Sequence, residues 1–298
     1  MKSSIIADLK KLKKEKNATI LAHYYVNKEI QEAADYVGDS FFLAKKAKEL
    51  DSDILVMAGV YFMGESAKIL NPDKKVILPE PEADCPMAHM VTVEDIEKMR
   101  SEYDDLCVVT YVNSTAEIKA YSDVCVTSSN AVQIVNNLDS NNIYFIPDKN
   151  LGHFVKKQVP NKNIIFNDGY CPIHNAISVD DSVIKEHAYP ILAHPECPED
   201  VLSVADYIGS TSGIIAEAEK YDKMIIATEE GIFTKLQNLY PDKTFYRLEN
   251  IPICEDMKKN TLEKLYDALL NEKNVVDIDP SIAKRALIPL ERMLEMTK

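Results

Sequence analysis

ILAHYYV at residues 20–26, VVTYVNS at residues 108–114 and ILAHPEC at residues 191–197 are three versions of one pattern. Each begins with mostly apolar residues typical of a buried strand, and His23, Tyr111 and His194 occupy its fourth position. The segments recur at intervals of about 85 residues, which is too long for a solenoid unit and is the size of a small domain. The chain is therefore predicted to contain three copies of one domain.

The match between the copies extends well beyond these segments. An aspartate follows twelve residues after each aligned position, a serine or threonine follows after seventeen, and a cysteine follows after 60 to 62. These residues are Asp35, Asp123 and Asp206; Ser40, Ser128 and Thr211; and Cys85, Cys171 and Cys254. Three thiols from equivalent places in three domains can meet near a pseudo-threefold axis, so we expect one shared site there.

Composition limits the classes of function. The chain has 298 residues, 46% of them hydrophobic and 28% charged, as in ordinary globular proteins. Its net charge of −14 argues against a nucleic-acid or anionic-membrane partner. No apolar run is long enough to span a membrane, and the six cysteines come without a signal peptide. We therefore expect a cytoplasmic protein whose free thiols are core residues, nucleophiles or metal ligands.

The order of patterns predicts an α/β fold. Short apolar strands alternate with helical segments throughout, which favours parallel sheets covered by helices on both faces. We predict three three-layer αβα domains at residues 1–88, 89–174 and 175–256, with a helical tail at 257–298 that packs on the first domain. The chain has only 8 glycines and contains no G-x-G-x-x-G fingerprint or P-loop.

The repeat places chemically active side chains together, because ligands of open α/β sheets bind beyond the carboxyl ends of the strands. Two residues after each aligned position comes a second polar side chain on the same side of the strand end. The resulting pairs are His23 with Tyr25, Tyr111 with Asn113, and His194 with Glu196. Glu196 is the one carboxylate of this set, which makes it the natural general base. The Ser40, Ser128 and Thr211 hydroxyls are suited to a phosphate or carboxylate.

The three repeated cysteines have three interpretations. They are buried core residues, ligands of a zinc ion with one open position, or ligands of a [4Fe–4S] cluster that leaves one iron free. Structural zinc usually takes paired C-x-x-C ligands, and the nearest approach to that motif is Cys254 followed by Met257.

Other residues are expected to be structural. Asp35, Asp123 and Asp206 are expected to cap helices or stabilise turns, and Cys107, Cys125 and Cys197 to pack in the core. Three histidines without repeat partners are predicted to be surface or packing residues: His89, His153 and His187. His174, three residues after Cys171, is equally compatible with function and with structure.

The chain resembles the quinolinate synthase family of bacterial NAD biosynthesis. The resemblance covers nearly the whole chain, through LAHYY, DYVGDS, DCPMA, TYVNS, VCVTSSNA, GYCPIH, AHPEC, YIGSTSG and ICEDM. It implies three sandwich domains in a triangular array and a [4Fe–4S] cluster bound by Cys85, Cys171 and Cys254. It also implies condensation of iminoaspartate with dihydroxyacetone phosphate, with loss of phosphate and two waters, and it names the iminoaspartate-producing enzyme as a candidate partner.

The resemblance also implies a set of active-site residues. They are His23, Tyr25, Ser40, Tyr111, Asn113, Ser128, His174, His194, Glu196, Ser210 and Thr211. Among them, the hypothesis assigns proton transfer or orientation of hydroxyls to Glu196, Tyr25, Tyr111, His23 and His194. Some family members carry C-x-x-C-x-x-C at the last ligand, whereas this chain has only Cys254 there, so a regulatory disulfide at that end is excluded.

Three other functions stay open on the residues alone. An iron–sulfur hydro-lyase acting on another hydroxy acid would keep the cysteines but need fewer anion-binding groups. An iron–sulfur sensor or carrier would need no His, Tyr and Glu layer. A zinc hydrolase would hold zinc without sulfide.

Overall fold

Strands and helices alternate from end to end in the computed structural model of the chain, which describes residues 2–186 and 188–298. His187, which the sequence predicts to be a surface or packing residue, lies outside the described residues. The strands of the first sheet are β1 (Ala18–His23), β2 (Tyr36–Gly38), β3 (Ile54–Ala58) and β4 (Lys75–Ile77). Those of the second are β5 (Leu106–Tyr111), β6 (Val124–Val126), β7 (Asn142–Ile146) and β8 (Asn163–Phe166). Those of the third are β9 (Ile191–Ala193), β10 (Tyr207–Ile208), β11 (Lys223–Ala227) and β12 (Thr244–Arg247).

The helices fill the connections and the tail. Up to the end of the second repeat they are α1 (Lys2–Glu15), α2 (Lys28–Ala33), α3 (Ser40–Glu49), α4 (Tyr61–Leu70), α5 (Val93–Glu102), α6 (Ala116–Ala120), α7 (Ala131–Asn136), α8 (Lys149–Gln158) and α9 (Pro172–Asn175). After it come α10 (Ser182–Glu186), α11 (Glu199–Val204), α12 (Thr211–Glu217), α13 (Ile232–Leu239), α14 (Glu255–Lys258), α15 (Leu262–Asn271) and α16 (Pro280–Glu295). Short 3-10 helices cover Pro86–His89 and Ala218–Lys220. In the described part of the chain, no helix has both the length and the apolar character needed to cross a membrane.

All three sheets share one topology. The strand orders are β2-β1-β3-β4, β6-β5-β7-β8 and β10-β9-β11-β12, and every pairing in them is parallel. The α/β fold with short parallel sheets is therefore confirmed. In each sheet the chain crosses from one side of the first strand to the other, which creates a switch point between the first and third strands. Ligand sites of open α/β sheets lie beyond the carboxyl ends of the strands at such a point.

The strands are buried because helices cover the sheets. All five residues of β3 are buried, as expected for a parallel strand covered on both faces. In the first sheet, α3 and α4 pack together, while α1, α2 and α15 contact one another. The largest cluster of buried apolar side chains includes Leu21, Val109 and Ile226, one from each sheet. The three sheets therefore share a continuous core.

The repeated aspartates connect the first strand of each sheet to the turn before its second strand. A backbone N–H in the first strand of the repeat donates to each carboxylate at 2.7 to 2.9 Å, and the aspartate N–H donates back to the carbonyl of the same residue. The pairs are Asp35 with Ile20, Asp123 with Val108, and Asp206 with Ile191. Their expected structural role is confirmed, although they hold turns between strands and do not cap helices.

The tail spans more than the first repeat. The helix α15 packs on α1 and α2, and the segment after it pairs with the edge of the first sheet through an antiparallel bridge between Ile77 and Val275. The helix α16 contacts α4 of the first repeat and, more extensively, α6 and β6 of the second. The tail therefore joins two of the sheets and covers an otherwise open sheet edge.

Truncation of a buried residue of α16 tests this joining role. Leu290 is fully buried, so Leu290→Ala should lower the free energy of unfolding by about 2–5 kcal/mol through lost burial and a residual cavity. Ile288 on the same helix is 66% exposed, and Ile288→Ala should change it by less than about 0.5 kcal/mol. Urea denaturation of the two variants measures the difference, and equal effects would contradict the packing of α16.

Candidate active site

A cavity lies beyond the carboxyl ends of the strands, bounded by residues of all three repeats. Residues that end or follow β1, β5 and β9 line it, as do the three repeated cysteines. Of the predicted site residues, those lining it are His23, Tyr25, Ser40, Tyr111, Asn113, Ser128, His174, His194, Glu196, Thr211, Cys85, Cys171 and Cys254. Ser210 stands apart from this lining, because its hydroxyl caps α12 by accepting the Gly213 N–H at 3.1 Å.

The backbone N–H of each repeated cysteine donates a hydrogen bond to a carboxylate. The Cys85 N–H donates to Asp84 at 2.8 Å, the Cys171 N–H to Asp148 at 3.0 Å, and the Cys254 N–H to Glu229 at 3.1 Å. Asp148 and Glu229 are fully buried, and burial of a carboxylate is tolerated only when its oxygens are satisfied. Asp148 also accepts the Leu151 N–H, and Glu229 accepts the Gly231 N–H and contacts the Lys258 ammonium.

The backbone around the cysteines is also equivalent in the three repeats. Two residues before each cysteine, a carbonyl accepts an N–H from the first residue of the helix that follows the third strand or from the turn just before that helix, at 2.8 or 2.9 Å. The pairs are Ala83 with Tyr61, Gly169 with Lys149, and Pro252 with Glu230. Each cysteine then immediately precedes a short helix: Pro86–His89, α9 or α14. The three sulfurs are therefore presented by one loop structure used three times.

Glu196 lies at the centre of the hydrogen bonds in the cavity. The Tyr111 O–H donates to its Oε1 at 2.5 Å, and His174 Nδ1 lies 2.9 Å from its Oε2. Burial alone would raise the pKa of this carboxyl, but the hydrogen bonds donated by His174 and Tyr111 favour its ionised form and hold the pKa below its ordinary value. Glu196 is therefore an ionised acceptor, oriented from both sides.

His23 and His194 are neutral hydrogen-bond donors. In each case the backbone N–H two residues on points at Nδ1, from Tyr25 at 3.1 Å and from Glu196 at 3.4 Å. Because Nδ1 accepts, the remaining proton of the neutral ring lies on Nε2. Burial lowers the pKa of both imidazoles to about 3, against the opposing attraction of Glu196. These rings are therefore uncharged near neutral pH.

Two threonines from the third repeat hold Tyr25. Its hydroxyl lies 2.7 Å from Thr211 Oγ1 and 2.9 Å from Thr228 Oγ1. Thr228 Oγ1 also lies 2.9 Å from His174 Nε2, and the His174 ring stacks on His194 with centroids 4.5 Å apart. Groups from different repeats are thus linked by direct hydrogen bonds around one cavity.

Comparison with known proteins identifies the family. A family model described as Quinolinate synthetase A protein matches residues 7–295. The chain belongs to the quinolinate synthase family. It is 56% identical over 292 residues to a quinolinate synthase of Fusobacterium nucleatum, covering 97% of this chain and 98% of that protein. It is 49% identical to one of Caldicellulosiruptor bescii over 97% of both chains, and 46% identical to one of Clostridioides difficile over 100% of both. The resemblance stated from the motifs is confirmed.

The three repeated cysteines of this quinolinate synthase family member do not gather as closely as the ligands of a single metal ion. In a tetrahedral zinc site with Zn–S bonds of about 2.3 Å, the sulfurs lie about 3.8 Å apart. Among the described residues, the one set of three ligand atoms within 4.8 Å of one another is Cys171, His174 and Glu196, not the three cysteines. The closeness of that set is explained by hydrogen bonds, since His174 Nδ1 serves both Glu196 and the Cys171 sulfur, the latter at 3.2 Å.

The residues expected to be structural are placed accordingly. Cys107 and Cys125 are buried in β5 and β6, and the buried Cys197 thiol donates to the Ala227 carbonyl at 3.4 Å. His153 packs on Phe166 with ring centroids 4.2 Å apart, and the exposed His89 pairs with Asp84 at 2.6 Å.

Four residues at this family member's site were missed from the sequence: Asp84, Asp148, Thr228 and Glu229. Asp84 directly precedes a cysteine, and the other three follow the third strand of their repeat by one or two residues. The third strand flanks the switch point, so its carboxyl end faces the cavity as the first strand's does. Asp148, Thr228 and Glu229 could therefore be predicted from the positions directly after β7 and β11, considered together with those after β1, β5 and β9.

The partial burial of the Cys254 thiol predicts a measurable pH dependence of its reactivity. Burial raises the pKa of Cys254 to about 11, and the Met257 backbone N–H opposes the shift only in part. Alkylation of the folded, metal-free protein by iodoacetamide, followed at Cys254 by mass spectrometry, should accelerate about tenfold per pH unit from about pH 7 to about pH 9 without levelling. In urea the rate should level near the ordinary thiol pKa of about 8.5. Levelling at that pH in the folded protein would contradict the burial effect.

Proposed function

We propose that this protein condenses iminoaspartate with dihydroxyacetone phosphate to form quinolinate, releasing phosphate and two waters, as a step of NAD biosynthesis. The observation that carries the proposal is the joint lining of one cavity by three equivalent cysteines, one oriented carboxylate and two phenols. The condensation requires proton removal and two dehydrations without net oxidation. The cavity residues supply groups that accept and donate protons.

The three cysteines are proposed to hold a [4Fe–4S] cluster. Their placement supports this, because three equivalent loops present three sulfurs from three directions and the sulfurs do not gather as closely as one metal ion would require. A cluster bound by three thiolates keeps one iron free, which can act as a Lewis acid on a substrate hydroxyl during dehydration. Cys85, Cys171 and Cys254 would be the ligands, and burial raises the pKa of each, so binding would release their protons.

Both proposed substrates are anions, and neutral donors would bind them. Ser40 and Thr211 are the first residues of α3 and α12, and Ser128 lies in the turn before α7. We assign their hydroxyls to the phosphate and carboxylate oxygens, together with the Nε2–H groups of His23 and His194. Asn113 Oδ1 is buried without a hydrogen-bond partner, which supports its role as an acceptor for a substrate donor.

Glu196 and the two tyrosines are proposed to move the protons. Glu196 is ionised and touches the Tyr111 hydroxyl, so a proton taken from substrate by the phenolic oxygen can pass to the carboxylate. Tyr25 also lines the cavity, and burial raises its pKa well above the ordinary value, so it remains a hydroxyl that can orient or protonate a leaving group. His23 and His194 then orient substrate through Nε2–H.

The arrangement of the whole chain follows from this assignment. We propose domains at residues 1–88, 89–174 and 175–256 around a pseudo-threefold axis, with the cavity on that axis. The matching loops around the three cysteines support the axis. A cytoplasmic location and supply of iminoaspartate by a partner enzyme are part of the same proposal.

A product assay with metal analysis tests the function. Protein purified without oxygen should contain close to four iron and four sulfide per chain, and should convert iminoaspartate and dihydroxyacetone phosphate to quinolinate, detected by mass spectrometry. The variant Cys171→Ser should lose both iron and product. Stoichiometric zinc without sulfide would overturn the cluster, and a loaded protein that makes no quinolinate would overturn the activity.

Replacement of Glu196 tests its role as the base. Glu196→Gln keeps the size of the side chain but offers one acceptor oxygen where Tyr111 and His174 now reach two, and it cannot take up a proton. We expect kcat to fall at least about 100-fold while iron and sulfide contents stay unchanged. Near-normal turnover with an intact cluster would show that another group is the base.

A further inference from the structure

We propose that Lys119 supplies the positive charge that attracts the anionic substrates into the cavity, acting from behind the Phe62 side chain. The inference rests on the proposed function and deepens it, because it concerns how the anions are bound. Lys119 lies in α6 of the second repeat, and it is fully buried. Its ammonium lies over the ring of Phe62, 5.4 Å from the centroid, and Phe62 of α4 lines the cavity.

The lining of the cavity carries carboxylates but no lysine or arginine. Among the described residues that line it, five are acidic: Asp39, Glu196, Glu229, Glu255 and Asp256. The three cysteines would add negative charge, because thiols bind metals as thiolates. Hydroxyls and neutral imidazoles can orient a phosphate or carboxylate, but they do not offset its charge. A cation that favours the binding of anions here must therefore act from behind the lining.

Lys258 is close to the cavity, but two carboxylates offset its charge. Its ammonium lies 3.1 Å from Glu229 Oε1 and 3.5 Å from Glu230 Oε2, and it donates to the Tyr25 carbonyl at 2.7 Å. With carboxylates at these distances, little of its field remains for a substrate.

The ammonium of Lys119 has no such partners. It donates to the Ser114 carbonyl, and in the described part of the chain it forms no ion pair. A buried cation costs free energy unless it is paired, so an unpaired one favours the approach of an anion. Burial lowers the pKa of Lys119, against the attraction of the more distant Glu65. An anion in the cavity would raise this pKa again, so anion binding and protonation of Lys119 support each other.

The repeat shows that the fold does not need this charge. Eight residues after the aligned His or Tyr, the three copies have Gln31, Lys119 and Leu202. The Gln31 amide donates to the Val26 carbonyl at 3.1 Å, and Val26 is aligned with Ser114, whose carbonyl accepts from Lys119. A neutral side chain therefore makes the same backbone contact in the first copy. The positive charge is what distinguishes the second copy.

The structural lysines of the repeat are bound differently. Each copy has a lysine in the turn before its last strand, and the ammonium donates to two backbone carbonyls. These residues are Lys74, Lys162 and Lys243, and none of them lines the cavity. Lys162 is 9% exposed and donates to Leu138 and Ser140 at 2.6 and 2.9 Å, which makes it a matched buried control.

Titration calorimetry of the cluster-loaded protein with dihydroxyacetone phosphate tests the role of the charge. Lys119→Gln keeps a hydrogen-bond donor but removes the charge, and it should raise Kd at least about tenfold. Lys119→Met removes both and should raise Kd by a similar factor. Lys162→Met should change Kd less than about twofold. Wild-type affinity in Lys119→Gln would overturn the proposal, because the lysine would then act only through the Ser114 carbonyl.

Steady-state kinetics separates binding from a general structural effect. In Lys119→Gln the KM for dihydroxyacetone phosphate should rise at least about tenfold while kcat changes less than about threefold, because the charge acts on the anion in the ground state and the transition state alike. Iron content and thermal midpoint should match those of the wild type. A fall in kcat with unchanged KM would contradict a role in anion binding. If Lys119→Met fails to fold, Lys119→Gln alone decides the question.

The two proposals fail in different ways. A wild-type protein that binds dihydroxyacetone phosphate but forms no quinolinate would count against the proposed function alone. An active wild type, together with unchanged affinity in both Lys119 variants, would count against the Lys119 inference alone. A cluster-loaded wild type that binds no phosphate-bearing ligand would overturn both.

Discussion

The site depends on the fact that parallel strands all end at one edge of their sheet. Three sheets of identical strand order bring their carboxyl ends to one cavity, so loops from distant parts of the chain contribute to it. A carboxylate accepts the backbone N–H of each cysteine and so fixes its loop. Two of these three carboxylates are fully buried. Burial of an unpaired carboxylate costs free energy, but a buried carboxylate whose oxygens accept backbone N–H groups is held rigidly. Such carboxylates can therefore keep the three cysteine loops at fixed separations.

Residues that are equivalent in the three copies and residues that differ between them contribute to different parts of the structure. The bonds of Asp35, Asp123 and Asp206 and the carbonyl contacts before each cysteine are the same in all copies, and they build the framework. Positions two residues after the aligned His or Tyr differ, as Tyr25, Asn113 and Glu196, and so does the position of Thr228. Hydrogen bonds between repeats run through Tyr25, Glu196 and Thr228, so side chains that differ between the copies link the repeats around the cavity.

The sequence predicted much of this because periodicity reports what recurs. The alternation of strands and helices, the three cysteines and the residues after β1, β5 and β9 were all found by alignment of the copies. Asp148, Glu229 and Thr228 were missed because they do not recur as one residue type. Asp148 and Glu229 follow their strands at the same distance, but Val60 holds that place in the first copy, where Asp84 supplies the carboxylate from another position. The carboxylate that accepts the cysteine N–H thus comes from different positions in different copies, so alignment of the copies does not reveal it.

The electrostatics of the cavity limit which groups can do acid–base work. A histidine that accepted a proton beside Glu196 would form an ion pair with it and reduce its basicity. Burial prevents this for His23 and His194, whose pKa values are lowered to about 3, and the backbone amides that occupy Nδ1 leave each ring a donor at Nε2. The sequence hypothesis assigned these histidines either proton transfer or orientation, and the physical environment favours orientation. The proposed proton transfers therefore involve Glu196 and the two phenols.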